Sequence, residues 1–361
     1  MNSRRLNGQW YDLSKVDEKR LEEQRKLQVT GGSTYILSLP KEWVTRNQLE
    51  KGSSIIINEE DDGSLSINPS KHEKPERKSE ALIRVSPSDS SDGVMRKAIS
   101  AYLVGYSILR IRAQSQQSFP VGLRNYLKRF ARNYLVGTEI VTDSPTELTL
   151  QILLNYQDLS VQSALRRMTI IAASMHKEAA ASLGNLDYSA AKAVVETDQE
   201  VNRFSLYIVR LLKMAITNIK TVKEIGLSNQ RECIGYRLIA KSVERTADHA
   251  TNIAKNMLTL KDPIKPELLE RTEKLSNLAI SMFESSVEAL FRHDYNLAEK
   301  VIEKLGQIHK LEKDAVVSSQ DVGVDQIPSL RLLIESIRRT AEYASDISEV
   351  VLNLNVESVL S

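Results

Sequence analysis

One phrase is written twice in this chain, and that repeat constrains the fold more than any other feature. ERTADHATNIA at 244–254 returns as RRTAEYASDIS at 338–348, and DYSAAKAVVE at 187–196 returns as DYNLAEKVIE at 294–303. Two matched phrases in the same order indicate a duplicated unit. Both lie in a stretch, about 158–354, where apolar residues recur at helical spacing. LSVQSALRRMTIIAASMHKEAAASL predicts a first helix that stops near Gly184. A second is expected from Tyr188 to Ile225 and a third from Gln230 to Leu260. KDPIKP then breaks the pattern, and three more helices are expected near 266–292, 295–318 and 329–354. The fold class expected is therefore mainly α: two tandem three-helix bundles, 158–261 and 262–355, preceded by a small β unit and a small α/β unit. The copies sit at different offsets because the second helix of the second copy is shorter.

Upstream the patterning changes. RKLQVTGGSTYILSLP predicts two short strands around Gly31-Gly32, a turn that favours positive φ. Pro40 opens a short helix and Gly52 stops it. SSIIINEEDDGSLSINP reads as a second hairpin bent at Asp62-Gly63. A unit of this size, 25–70, cannot bury a core alone, so it is expected to dimerise. Residues 1–24 read as a flexible basic arm, and the charged stretch 71–80 as a linker. Residues 81–157 alternate strand-like and helical patterns in the order β-α-β-α-β-β.

The length, 361 residues, predicts two or three domains, and a net charge of +2 excludes a broad basic field that would coat nucleic acid, leaving room for a local patch. The single cysteine, Cys233, excludes a disulfide framework and a CxxC metal site. The opening MNSRRLNGQWYDLSK lacks the apolar run of a secretory signal, and no stretch reaches the ~20 apolar residues of a membrane span, so a cytoplasmic protein is expected.

In the predicted third helix Val243, Ala247, Ala250, Ala254 and Met257 form an apolar stripe, with Glu244, Asp248 and Asn252 along one flank. In the second helix Val194, Val201, Phe204, Ile208 and Leu211 form the stripe; Asp198 and Asn202 flank it, with Glu200 on the other side. Like charges four apart on a helix cost ~0.2–0.5 kcal/mol unless compensated. Oxygen donors at this spacing on two packed helices are how bundles build carboxylate metal sites. The alternative is a solvated acidic edge with Lys241 and Arg245 as partners. His249 reads as a surface or capping residue. RNYLKRFARNYL at 124–135 reads either as a contact for nucleic acid or an acidic partner, or as an amphipathic helix with a wet basic face. The sequence contains none of the phosphate-loop, dinucleotide, nucleophile-elbow or zinc-protease patterns, so an enzyme is not expected.

Two family resemblances attach to these residues. The stretch from Arg25 to Pro69, with Leu39-Pro40-Lys41-Glu42-Trp43, the Leu49-Glu50-Lys51-Gly52 turn and the Asp62-Gly63 hairpin, resembles the SpoVT/AbrB swapped-hairpin domain. This implies a homodimeric DNA-binding module. The residues that would meet DNA phosphates are Arg25, Lys26, Lys41 and Arg46, with Arg4 and Arg5 on the arm. The two helical copies resemble PhoU, on the strength of Glu244-Arg245-x-x-Asp248-His249-x-x-Asn252-Ile253-Ala254 and Asp198-x-Glu200-Val201-Asn202. That family carries acidic clusters that bind metal on the bundle surface. The resemblance implies a divalent or trivalent metal ion, no organic cofactor, and a ligand set of Asp198, Glu200, Asn202, Glu244, Asp248 and Asn252. Such oxygens suit magnesium, calcium or manganese, and also iron or zinc.

The second copy departs from this pattern. Its second helix reads Leu305-Gly306-Gln307-Ile308-His309, and Arg338 replaces the first acid of the third helix, while Glu342 and Asp346 keep the later places. Arg338 would repel a cation, or stand in for one by pairing with Glu342. The whole chain resembles an archaeal-type phosphate-uptake regulator. The partners this implies are operator DNA of phosphate-uptake genes, a second copy through the head, and a phosphate-transporter ATPase or sensor kinase. An adaptor that docks on such a protein without binding DNA is the alternative.

Overall fold

The computed structural model describes residues 3–6, 9–12, 23–59, 63–69, 80–114, 118–154, 159–319 and 323–360. The chain divides into two compact units, Met1–Arg77 and Lys78–Ser361.

In the first unit β1 (Ser3–Leu6) pairs antiparallel with β2 (Gln9–Asp12), where a flexible arm is expected over 1–24. The reason lies in the sequence between the strands, Asn7-Gly8, a strong two-residue hairpin signal. Arg4 and Arg5 belong to β1, in register with Tyr11 and Trp10. The expected hairpins follow: β3 (Gln28–Thr30) with β4 (Thr34–Ile36), then β5 (Ile55–Glu59) with β6 (Leu65–Pro69). Between them lies α1 (Lys41–Arg46). Gly31 and Gly32 take φ of 61° and 83°, the left-handed conformation that the first turn requires. Asp62 and the linker residues 71–79 lie outside the described residues, and Glu80, expected to end the linker, begins a strand.

The second unit opens with the expected β-α-β-α-β-β order: β7 (Glu80–Val85), α2 (Ser91–Val104), β8 (Ile108–Ala113), α3 (Leu123–Tyr134), β9 (Thr138–Asp143) and β10 (Glu147–Ile152). The sheet order is β7-β8-β10-β9, parallel between β7 and β8 and antiparallel elsewhere. α2 makes the crossover that the parallel pair needs. Val85, Tyr102, Ile111, Leu127 and Leu150 meet in its core.

The bundle follows, with α4 (Val161–Asn185), α5 (Tyr188–Thr217), α6 (Ile219–Glu224) and α7 (Glu232–Met257) in the first repeat. The second repeat comprises α8 (Pro266–Arg292), α9 (Tyr295–Glu303), α10 (Leu305–Ser318) and α11 (Ile327–Asn355). Two helices expected to run unbroken are divided. The 188–225 helix breaks at Asn218, whose extended backbone (φ −143°, ψ 110°) follows a Thr217 hydroxyl that turns back to the Met214 carbonyl. The 295–318 helix breaks at Lys304, two residues before Gly306, a poor residue for a helix interior.

The duplication extends beyond the two phrases. α4 ends on Leu186 and α8 on His293, both left-handed non-glycine residues (φ 49° and 54°). Each is followed by an aspartate, Asp187 or Asp294, whose carboxylate accepts from the first-turn backbone N–H groups. One apolar core spans both repeats. α7 packs on α11, and there His249 Nε2 meets Tyr343 Oη at 3.4 Å. These two residues hold equivalent places in the repeated phrase, so the copies meet there through matching positions.

Candidate cation site on the first repeat

The acidic edge forms where α5 packs on α7. Val194, Val201 and Ile208 of α5 and Val243, Ala247 and Ala250 of α7 are fully buried, and Phe204 is half-buried at the margin. Their burial fixes the rotation of both helices and leaves Asp198, Asn202, Glu244 and Asp248 half-buried along the seam. Asn202 Nδ2 donates to Asp198 Oδ2 at 2.8 Å, and Thr251 Oγ1 donates to Asp198 Oδ1 at 3.3 Å. Lys241 pairs with Glu244.

Burial pushes Asp248 up to about 6, and the neighbouring charges of Glu244 and Asp198 add to the shift. Burial also raises Asp198, with Glu244 contributing in the same direction. These carboxylates therefore repel one another in partial isolation from water. Glu200 and Asn252 do not join them: both are exposed, because their positions on α5 and α7 turn past the seam. The donor chemistry of Asp198, Glu244, Asp248 and Asn202 suits an oxygen-liganded cation. Among the described residues, however, no three His, Cys, Asp or Glu side chains converge into a closed metal nest.

The second repeat resolves the same place differently. Arg338 pairs with Glu342, as its replacement of an acid suggests, and its Nε also donates to Glu312 Oε1 at 2.8 Å. Arg339 pairs with Glu342 as well. A guanidinium thus sits where the first repeat gathers acids, while Asp346 is exposed. Arg339 and Arg245 both lie over the Tyr343 ring, at 4.7 and 5.8 Å from its centroid. His249 is half-buried at this junction instead of on the surface, and burial lowers its pKa.

Four residues with clear roles are absent from the sequence reading. Glu312 stands opposite Ser205 when the duplicated phrases are extended without a gap. Thr251, Asp198's partner on α7, gives no such signal. Arg210, a charge inside the apolar run YIVRLLKMAI, is fully buried. Its guanidinium donates to the Tyr102 carbonyl, to Tyr106 O at 3.0 Å and to Gly105 O at 3.2 Å. It thereby caps the C-terminal end of α2 and clamps the α/β part to α5. His176 is fully buried between α4, α8 and α11, with Nε2 2.9 Å from Ser276 Oγ and Nδ1 3.2 Å from Thr340 Oγ1.

On α3, Arg124 and Lys128 are both paired with Asp143, and Leu127, Phe130 and Ala131 are buried, which favours the amphipathic-helix reading. In the first unit Arg25, Lys26, Lys41 and Arg46 are all exposed, and Arg25 pairs with Glu23. No described residue of 23–69 is buried there, and Val29, Tyr35, Ile57 and Leu65 are exposed apolar groups.

The PhoU domain family model matches residues 165–257 and 272–351. The family described as antidote-toxin recognition MazE, bacterial antitoxin, matches 28–77. No curated protein matches the sequence. Among solved structures, PhoU from Pseudomonas aeruginosa is 20% identical with a TM-score of 0.49, over 55% of this chain and 96% of that one. The phosphate transport system regulatory protein PhoU from Streptococcus pneumoniae is 19% identical with a TM-score of 0.48, over 56% and 96%. Among the described residues, no helix is long and apolar enough to cross a membrane.

Proposed function

Starting from a chain that carries a PhoU domain behind a MazE/AbrB-like hairpin domain, we propose that it is a dimeric DNA-binding regulator of phosphate uptake. The fusion of these two domains is the observation that carries this reading. The physics of the head supports its dimeric part. Isolated two-stranded hairpins are marginal in water, and these expose the apolar residues that a core would use. A second copy that interleaves its hairpins would bury them. The exposed Lys26, Lys41 and Arg46 would then be presented twice to DNA phosphates.

The helical body would sense status rather than catalyse a reaction. Asp198, Glu244 and Asp248, with Asn202, would hold a divalent or trivalent cation whose charge relieves their mutual repulsion. Any effect on the heads requires that the cation, or phosphate status, favour one of two arrangements of the dimer. Asp248→Ala is expected to lower the metal content of purified protein in elemental analysis. Equal content in parent and variant would return the edge to a solvated acidic surface.

A mobility-shift titration tests the DNA reading, with promoters of phosphate-transport genes against random DNA at moderate salt. Tighter binding to the promoters is expected; equal binding would overturn it. An adaptor that dimerises through the head and docks on a transporter ATPase or sensor kinase is the second reading. The head's small basic set, with Arg25 already paired to Glu23, favours it. Replacing Lys26 and Arg46 together by alanine separates the two, because only the DNA-binding regulator loses promoter affinity.

A further inference from the structure

A cavity of about 590 Å³ lies between the α/β part and the first repeat, within the size range of small-molecule sites. α2 and α3 form one wall, and α5 and α7 the other. It lies at a place where the two copies diverge. In the second repeat, Glu312 and Arg338 close the seam between α10 and α11 with an ion pair. The equivalent residues in the first repeat are Ser205 and Glu244, and both line the cavity instead. A serine at 205 can form no ion pair with Glu244, and the α/β part covers this place without filling it. Arg210 holds that roof down.

The lining specifies a chemistry. Met95 and Ile99 of α2, Phe130 of α3 and Leu206 of α5 supply apolar surface, and Phe130 stacks on Tyr134 with ring centroids 5.3 Å apart. Tyr126 offers its ring, because its hydroxyl already donates to Asp92 Oδ1 at 2.7 Å. A flat apolar body suits aromatic and thioether walls. The charged lining residues are Arg129 and Glu244. Glu244 is matched by Lys241, whereas Arg129 forms no ion pair among the described residues, unlike Arg124 and Lys128 beside it. Asn133 and Asn202 add amide groups.

We propose that this cavity binds a small organic anion with a planar apolar body, its anionic group on Arg129. Inorganic phosphate alone would be a poor occupant, since most of the lining is apolar. Such binding requires neither DNA nor a bound cation. Because Asn202 and Glu244 belong both to the cavity wall and to the acidic edge, occupancy would be felt by the carboxylates of that edge.

The test uses the full chain labelled at its methionine methyl groups, in the presence of a chelator, titrated with naphthalene-1-sulfonate as probe. The Met95 methyl signal is expected to shift and saturate, while those of the core residues Met168, Met175 and Met257 stay in place. Arg129→Gln, an exposed position, should weaken the probe about tenfold, as loss of a charge-assisted hydrogen bond does. Ile99→Trp should crowd the apolar wall beside Met95 and weaken the probe. A Met95 signal unmoved by millimolar probe would overturn the proposal. So would an Arg129→Gln variant that titrates like the parent, or inorganic phosphate moving Met95 at lower concentration than the sulfonate.

Discussion

At the seam between second and third helices, the first repeat places Ser205 and Glu244 on one wall of a cavity, whereas the second joins Glu312 to Arg338. At position 241 and its counterpart 335 lysine changes to glutamate, as glutamate changes to arginine at 244 and 338. The letters pointing inward do not diverge in this way. Thr246, Ala247, Ala250 and Ile253 of α7, and Thr340, Ala341, Ala344 and Ile347 of α11, are all buried. Close packing therefore holds the phrase in common, while the seam is free to carry either a cluster of acids or an internal cation. One copy became a candidate binding edge and the other a self-neutralised brace.

The largest test of this contrast is Arg210. Its equivalent in the second repeat, Val317, is 54% exposed, while Arg210 is fully buried. Arg210→Met should cost about 3 kcal/mol or more by leaving the α2 carbonyls without their donor. In urea denaturation the α/β part should unfold before the bundle. Val317→Ser should stay within about 0.5 kcal/mol.

His176 comes next. Its counterpart is Phe283, and burial lowers the His176 pKa from 6.5 to about 4. Between those values the unfolded chain binds a proton that the folded chain refuses. Stability is therefore complete above pH 6.5 and falls as pH is lowered, by ~3 kcal/mol near pH 4. His176→Phe should flatten this part of the pH profile, and an unchanged slope would refute the assignment.

Transplanting the brace is a finer measurement. Ser205→Glu with Glu244→Arg should show a favourable coupling of about 1 kcal/mol in a double-mutant cycle, typical of a half-buried pair. Additive single effects would mean that the seams differ in backbone as well as in side chains. The smallest effect is expected at Asp346, which is exposed: Asp346→Ala should leave stability within about 0.5 kcal/mol and metal content unchanged, in contrast to Asp248→Ala.

Periodicity, turn residues and the repeated phrases were sufficient for the two three-helix units, the β-α-β-α-β-β order and the two head hairpins. These signals are local, and local spacing determines which residues share a face. The acidic edge was legible for the same reason, since Glu244 and Asp248 are one helical turn apart. Spacing within one helix cannot decide how far a neighbouring helix is rotated, so Asn252 was grouped with residues it turns away from, while Glu200, already on the other side of its stripe by spacing, entered the ligand set through the family resemblance alone. The breaks at Asn218 and Lys304 followed from weak helix formers in otherwise periodic segments. Distant pairings were invisible for a more general reason. Arg210 is separated from Tyr102 by 108 residues, His176 from Thr340 by 164, and Glu312 faces Arg338 across two helices. A buried charge or a cavity is defined by what the rest of the chain brings against it. The sequence by itself therefore determined the elements, their duplication and the letters of the acidic edge. The tertiary structure alone decided which copy stays open, because only packing sets the distance between side chains far apart in the chain.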